Sequence, residues 1–248
     1  MKTMERVNIL GVNVTVTDLP GALSAVEAEK AALNGRYICV CNVHTTVMAH
    51  DDPAMLAAEN GAALVLPDGG PLSVVQRRRG YVNAARVTGP DFMEAVLARS
   101  GKTGWRHYFY GSTEQTQRAL FAALTERYPG LHIAGGRASA FRPLTEAENQ
   151  EILDEIDAVR ADFVWVGLGA PRQELWMAEN AGKTHALMVG VGGAFDVFSG
   201  NVKRAPDWMQ RCCLEWLFRL LQEPRRLFKR YFVTNTRFLW LLFKERGR

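Results

Sequence analysis

The stretch Asp162-Phe163-Val164-Trp165-Val166-Gly167-Leu168-Gly169-Ala170-Pro171-Arg172-Gln173-Glu174 decides the fold class. Its first half is a short, unbroken apolar run, which reads as a strand covered on both faces. Two glycines end the strand, Pro171 opens a helix, and polar side chains fill the first turn. The same grammar repeats along the chain. Apolar runs at 7–10, 36–41, 63–66, 107–110, 132–134, 162–167 and 186–191 read as strands. Between them, 23–33, 53–60, 71–78, 90–99, 114–128, 146–159 and 172–181 carry helical patterns. Alternation of this kind predicts an α/β fold, a mostly parallel sheet with helices on both faces.

The chain has 248 residues, 48% of them hydrophobic and 23% charged, enough for one sizeable core with an appendage. That balance excludes a disordered chain and a disulfide mini-scaffold. The formal charge of +4 is unevenly spread. Residues 203–248 hold 12 Lys and Arg against 4 Asp and Glu, leaving 18 against 22 for the rest. An acidic body thus carries a basic, aromatic tail. Cys39, Cys41, Cys212 and Cys213 lack zinc spacing and read as reduced thiols of a cytosolic protein. The N-terminus has no signal-peptide pattern, and no run reaches the ~18–20 apolar residues of a spanning helix.

In a parallel sheet, ligands gather at the carboxyl ends of strands, so five loops there are candidates. Asn42-Val43-His44-Thr45-Thr46 offers Asn42 and His44 to a sugar or phosphate, with helix N-capping as the plain alternative. Leu66-Pro67-Asp68-Gly69-Gly70-Pro71 presents Asp68 as a general base or sugar-hydroxyl acceptor, or else as a turn residue. Gly111 and Ser112, in Tyr110-Gly111-Ser112-Thr113, could offer backbone N–H groups to phosphate. Gly167-x-Gly169 could cradle a diphosphate, with Arg172 or Gln173 beside it. Gly190-Val191-Gly192-Gly193 is a further close-approach turn, with Gly192 as its candidate contact. Five such turns point to a nucleotide- or phosphate-binding crevice. No Walker A, D-x-D or G-x-S-x-G pattern occurs, and the five histidines lack metal-ligand spacing.

Several of these runs occur together with Val65-Leu66-Pro67-Asp68-Gly69, Arg86-Val87-Thr88-Gly89-Pro90-Asp91, Phe109-Tyr110-Gly111-Ser112, Arg204-Ala205-Pro206 and Glu215-Trp216. In order and spacing, the set closely resembles the WecG/TagA/CpsF glycosyltransferases over essentially the whole chain. The resemblance implies a Rossmann-like enzyme that moves a sugar from a UDP-sugar to a polyprenyl-diphosphate-linked acceptor. It further implies inversion at the anomeric carbon, no cofactor, no catalytic metal, and work at the cytoplasmic face of the membrane. By position, Asp68 matches the family's catalytic base, Asn42 a residue near the acceptor or sugar, Arg86 a pocket arginine, and Gln173 a donor contact. Where the family often has Thr, two residues before the asparagine, this chain has Val40. That departure resembles exopolysaccharide members using UDP-glucose more than N-acetylmannosaminyl transferases.

The tail fits the same picture. The expected division is a catalytic domain over 1–200 and a basic, helical, membrane-associating appendage over 201–248. A helix is expected over 208–221, interrupted by Pro224, then two further segments. Arg219, Arg226 and Arg230 could reach a diphosphate, while Trp216, Leu217, Leu220, Leu221, Leu227, Phe228 and Phe232 suit an anionic membrane surface. Two other classes compete. A dinucleotide oxidoreductase needs G-x-G-x-x-G after the first strand, where Gly11-Val12-Asn13-Val14 stands instead. A nucleic-acid binder could use the tail and Arg77-Arg78-Arg79, but the acidic body and the many apolar tail residues argue against that partner. Monomer and homo-oligomer stay equally open.

Overall fold

A computed structural model of the chain describes residues 4–211 and 214–246, so Cys212 and Cys213 lie outside the described residues. The side chains of Asp207, Arg211, Arg226, Arg230 and Arg246 lie outside them as well.

The deciding stretch forms β7 (Phe163–Gly167) and α8 (Arg172–Glu179). β7 runs between β8 (Leu187–Gly190) and β5 (Arg106–Gly111) in the middle of a six-stranded, wholly parallel sheet. The remaining strands are β3 (Tyr37–Cys41), β4 (Leu64–Pro67) and β6 (His132–Arg137), in the order β4-β3-β8-β7-β5-β6. Alternation along β7 explains the unbroken apolar run. Phe163 and Trp165 join a core with Ile38, Val40, Phe92 and Phe109 on one face. Val164 and Val166 join Cys39, Cys41, Tyr108 and Trp176 on the other. Helices α1 (Leu19–Glu29), α5 (Gly89–Thr103) and α6 (Glu114–Arg127) supply the first core, while α3 (Pro53–Gly61), α7 (Glu146–Ala158) and α8 supply the second. The architecture is α/β and Rossmann-like, as the sequence implies.

Three local expectations are corrected. The 7–10 run is a strand but not one of the parallel sheet: β1 (Arg6–Ile9) pairs antiparallel with β2 (Val12–Thr15) in a separate hairpin. The segment after Asn42 is not a loop but α2 (Val43–Asp51), with Asn42 as N-cap and a complete capping box through Thr45. The tail is cut differently as well. Two short helices, α10 (Asp207–Arg211) and α11 (Glu215–Gln222), precede one long helix, α12 (Pro224–Arg246). The expected interruption at Pro224 is present, since α11 ends at Gln222, and Pro224 opens α12, where proline at a first helical position loses no hydrogen bond.

Contacts cross the expected boundary at residue 200. Phe238 and Leu241 of α12 are buried in the same core as Val7, Ile9 and Val47. Ion pairs from Arg237 to Asp51 and from Glu245 to Arg79 hold the same helix from outside. The opposite face of α12 bears Phe228, Phe232, Leu239 and Phe243, spaced as one exposed apolar stripe. Among the described residues, no helix is long and apolar enough to cross a membrane.

Candidate active site

A cavity of about 690 Å³ opens over the carboxyl ends of β3, β4, β7 and β8, and α11 and α12 form its far wall. Sheet register sets its centre. β3 and β4 pair with Cys41 opposite Pro67, so the next residues, Asn42 and Asp68, emerge side by side. The Asp68 N–H donates to the Cys41 carbonyl at 2.7 Å and fixes that pairing. The Asn42 side chain serves two neighbours at once. Its Oδ1 accepts from the His44 and Thr45 N–H groups at 2.9 and 3.2 Å, while its amide lies close enough to hold the Asp68 pKa down. Capping and ligand contact, posed as alternatives for Asn42, are therefore compatible.

Burial pushes the Asp68 carboxyl up to about 6, and the nearby Glu215 carboxylate adds to the rise. Arg86, the Asn42 amide and Arg219 oppose it. The net result is a carboxylate that can accept a proton near neutrality.

Cations ring this acid. Arg86 Nη1 donates to Glu215 Oε2 at 2.6 Å, and Arg86 Nη2 lies 3.7 Å from Asp91. Asp91 also pairs with Arg204. Arg219 of α11 lies against Gly193, and its buried Nε has no hydrogen-bond partner. Lys203, Arg86, Arg204 and Arg219 thus face Asp68, Asp196 and Glu215 across the cavity, a balance that suits an anionic ligand.

The glycine loops close the floor. Gln173 is buried, its Oε1 accepting the Gly192 N–H at 3.1 Å, and Gly192 holds a φ of 54°. A Cβ at Gly190 would lie 2.6 Å from Met177 and 3.2 Å from Gln173 Nε2, so the bare backbone is needed for this fit.

Of the residues singled out from sequence, Asn42, His44, Asp68, Arg86, Gly169, Gln173, Gly192 and Arg219 line this cavity. Gly111, Ser112 and Arg172 lie outside its lining. Gly111 packs on the Gly167 backbone, and Ser112 donates its N–H to the Gly167 carbonyl. Arg172 Nη2 bonds the Leu168 carbonyl, and its guanidinium covers the Phe141 ring. The side chains of Arg226 and Arg230 fall outside the described residues. Sequence reasoning assigned no role to Glu215, Tyr231, Thr234 or Asn235, all on the far wall. The Glu215-Trp216 pair was a usable signal for the first; nothing local marks the other three.

A proton-accepting carboxylate, arginines and glycine turns over a Rossmann-like sheet make up the equipment of a glycosyltransferase. Residues 7–248 match the model of the glycosyl transferase WecG/TagA/CpsF family, and the chain belongs to that family. Its substrates are accordingly a sugar-nucleotide donor and a glycan acceptor.

Proposed function

We propose that the protein moves a hexose, glucose, from a UDP-sugar to a polyprenyl-diphosphate-linked sugar, with inversion, in building a cell-surface polymer such as an exopolysaccharide. The observation that carries this reading is the half-buried Asp68, beside Asn42 and ringed by Arg86 and Arg219. The acceptor hydroxyl oxygen attacks the anomeric carbon from the face opposite UDP. Its proton passes to Asp68 as the new C–O bond forms. The bond from the anomeric carbon to the UDP oxygen breaks, and UDP leaves with the electron pair. Arg86 and Arg219, with the N–H groups of the glycine loops, neutralise the departing charge. These groups supply the charge stabilisation that a metal gives other transferases, so the reaction is read as metal-independent and free of cofactors. Val40 lies on the cavity wall and offers methyl groups where a threonine would offer a hydroxyl, which supports a donor without an N-acetyl group there.

The direct test is transfer to a synthetic polyprenyl-diphosphate-sugar from UDP-glucose and, separately, from UDP-N-acetylmannosamine. Product from UDP-glucose alone is expected, with the anomeric configuration inverted. Product from UDP-N-acetylmannosamine alone would move the enzyme to the teichoic-acid or common-antigen type.

The acceptor's lipid places the work at the inner face of the cell membrane. The Phe228, Phe232, Leu239 and Phe243 stripe, beside exposed Lys229 and Lys244, suits an anionic bilayer surface. Such a helix lies in the interface, each basic residue contributing about 1 kcal/mol. The full chain is expected to float with liposomes containing anionic lipid. The triple change Phe228→Ser, Phe232→Ser and Phe243→Ser should cut bound protein at least about tenfold without loss of fold. Equal flotation of both proteins would remove the membrane surface from the list of partners.

A further inference from the structure

Beneath the cavity floor lies a pair of acids that the proposed chemistry leaves unused. Glu59 of α3 and Glu174 of α8 are both fully buried. Neither Glu59 oxygen has a hydrogen-bond partner, and Glu174 Oε2 has none. The other Glu174 oxygen, Oε1, accepts from Gln173 Nε2 at 2.7 Å. Gln173 in turn accepts the Gly192 N–H at 3.1 Å, and both Gln173 and Gly192 line the cavity.

This chain has a direction. A backbone N–H can only donate, so the Gln173 amide must turn its oxygen to Gly192. The amide nitrogen then needs an acceptor on its other side, and an ionised carboxylate can only accept. We propose that Glu174 is a positioning residue for nucleotide binding: its buried carboxylate grips the Gln173 amide nitrogen, which turns the amide oxygen to Gly192 and sets the shape of the 190–193 loop. Without that acceptor the amide can flip, and its NH₂ then faces the Gly192 N–H, donor against donor. The loop loses its anchor, and the cavity loses its fitted wall.

Glu59 is the second buried acid at this point. Cys39 and Cys41 of β3, Thr45 of α2 and Glu174 of α8 face its carboxyl, with Tyr37 of β3 also in electrostatic reach. Burial foremost, then Glu174, pushes Glu59 up to about 8, so Glu59 holds its proton at neutral pH. Burial raises the Glu174 carboxyl as well, and the hydrogen bond from Gln173 works against that rise. Thr45 also ties Glu59's surroundings to the other half of the site, since its Oγ1 accepts the Asn42 N–H at 2.9 Å.

The inference rests on the cavity being the donor site, and the test separates the two. UDP is titrated calorimetrically into the full chain and into Gln173→Ala, Glu174→Met, Glu174→Gln, Glu59→Gln and the Gln173→Ala/Glu174→Met double variant. Glu174→Met is expected to weaken UDP about tenfold. Glu174→Gln, which keeps an acceptor carbonyl, should stay within about threefold, and Glu59→Gln, which mimics the protonated acid, should do the same. In the Gln173→Ala background, Glu174→Met should add nothing, because the group it positions is gone. A purely structural role would instead give additive losses, or folded Glu174→Met with unchanged affinity, and either result overturns the inference. If Glu174→Met does not fold, Glu174→Asp takes its place. The shorter carboxylate cannot span the 2.7 Å bond, and wild-type affinity in that variant overturns the inference equally. Unchanged UDP binding in Gln173→Ala would bring down the donor-site reading itself. Weakened binding in Gln173→Ala but not in the Glu174 variants brings down this inference alone.

Discussion

Asp68→Asn lowers kcat/KM for sugar transfer by on the order of 10³-fold while leaving UDP affinity within about threefold. Asparagine is isosteric and keeps the backbone N–H bond of position 68 to the Cys41 carbonyl, so the loop between β4 and α4 (Gly70–Arg78) stays put. What disappears is the ability to take the acceptor's proton. The pH profile carries the same signature. A base works only when deprotonated, so kcat/KM of the native chain should rise with pH through about 6 and level off above it. The cause of that position is burial first and the Glu215 carboxylate second. Removing the second cause with Glu215→Gln should slide the rising limb toward lower pH, since Arg86 then acts on Asp68 unopposed. Rates measured from about pH 5 to about pH 8 at limiting acceptor, where they follow kcat/KM, decide the matter. Residual activity near native in Asp68→Asn would give the proton to another group.

The second large effect concerns stability. Gly111→Ala is expected to destabilise the fold by about 3 kcal/mol or more, or roughly 6–12 °C in the thermal midpoint. A Cβ at this position would stand 2.7 Å from both the carbonyl carbon and the oxygen of Gly167. Both are backbone atoms of the neighbouring strand, so no side-chain rotation can relieve the clash. Gly111 also holds a φ of 117°, a region L-residues rarely enter. The strand ends of β5 and β7 must move apart, and the break falls in the middle of the sheet. Gly101→Ala is the matched control. Gly101 lies within α5, its Cβ would meet nothing within 4 Å, and alanine there should stabilise by about 0.5–1 kcal/mol. Equal midpoints for the two variants would show that the close approach of the strands is not limiting.

Gly111 also shows where the sequence misleads. A Gly-Ser turn at a strand end reads as a phosphate cradle, yet this glycine is required by the strand beside it. The sheet was legible because each strand is an unbroken apolar run, as in Phe163-Val164-Trp165-Val166, and both faces of the sheet are buried. The hairpin was not, because its turn is Leu10-Gly11, with φ of 53° and 98°, and leucine is no turn signal. α2 was missed because Val43, Thr45 and Thr46 are β-branched and the segment lacks an apolar stripe; its capping box, Asn42 with Thr45, was the available sign. Of the site, the parts at strand ends could be read, since parallel sheets put ligands there. Glu215 lies 173 positions beyond Asn42 in the chain and the α12 residues further still, and only folding brings them to Asp68.

Helix α12 touches three things at once: Phe238 and Leu241 sit in the core, Thr234 and Asn235 line the cavity, and Phe228 and Phe232 face outward. A segment with three such duties cannot be traded as a module. Swapping in another protein's tail would have to match a core, a substrate wall and an outer surface together. A chain cut near residue 200 would lose part of its core and one wall of its cavity. Change along this helix is therefore constrained on its core and cavity faces, and is most readily made on the exposed Phe228 face.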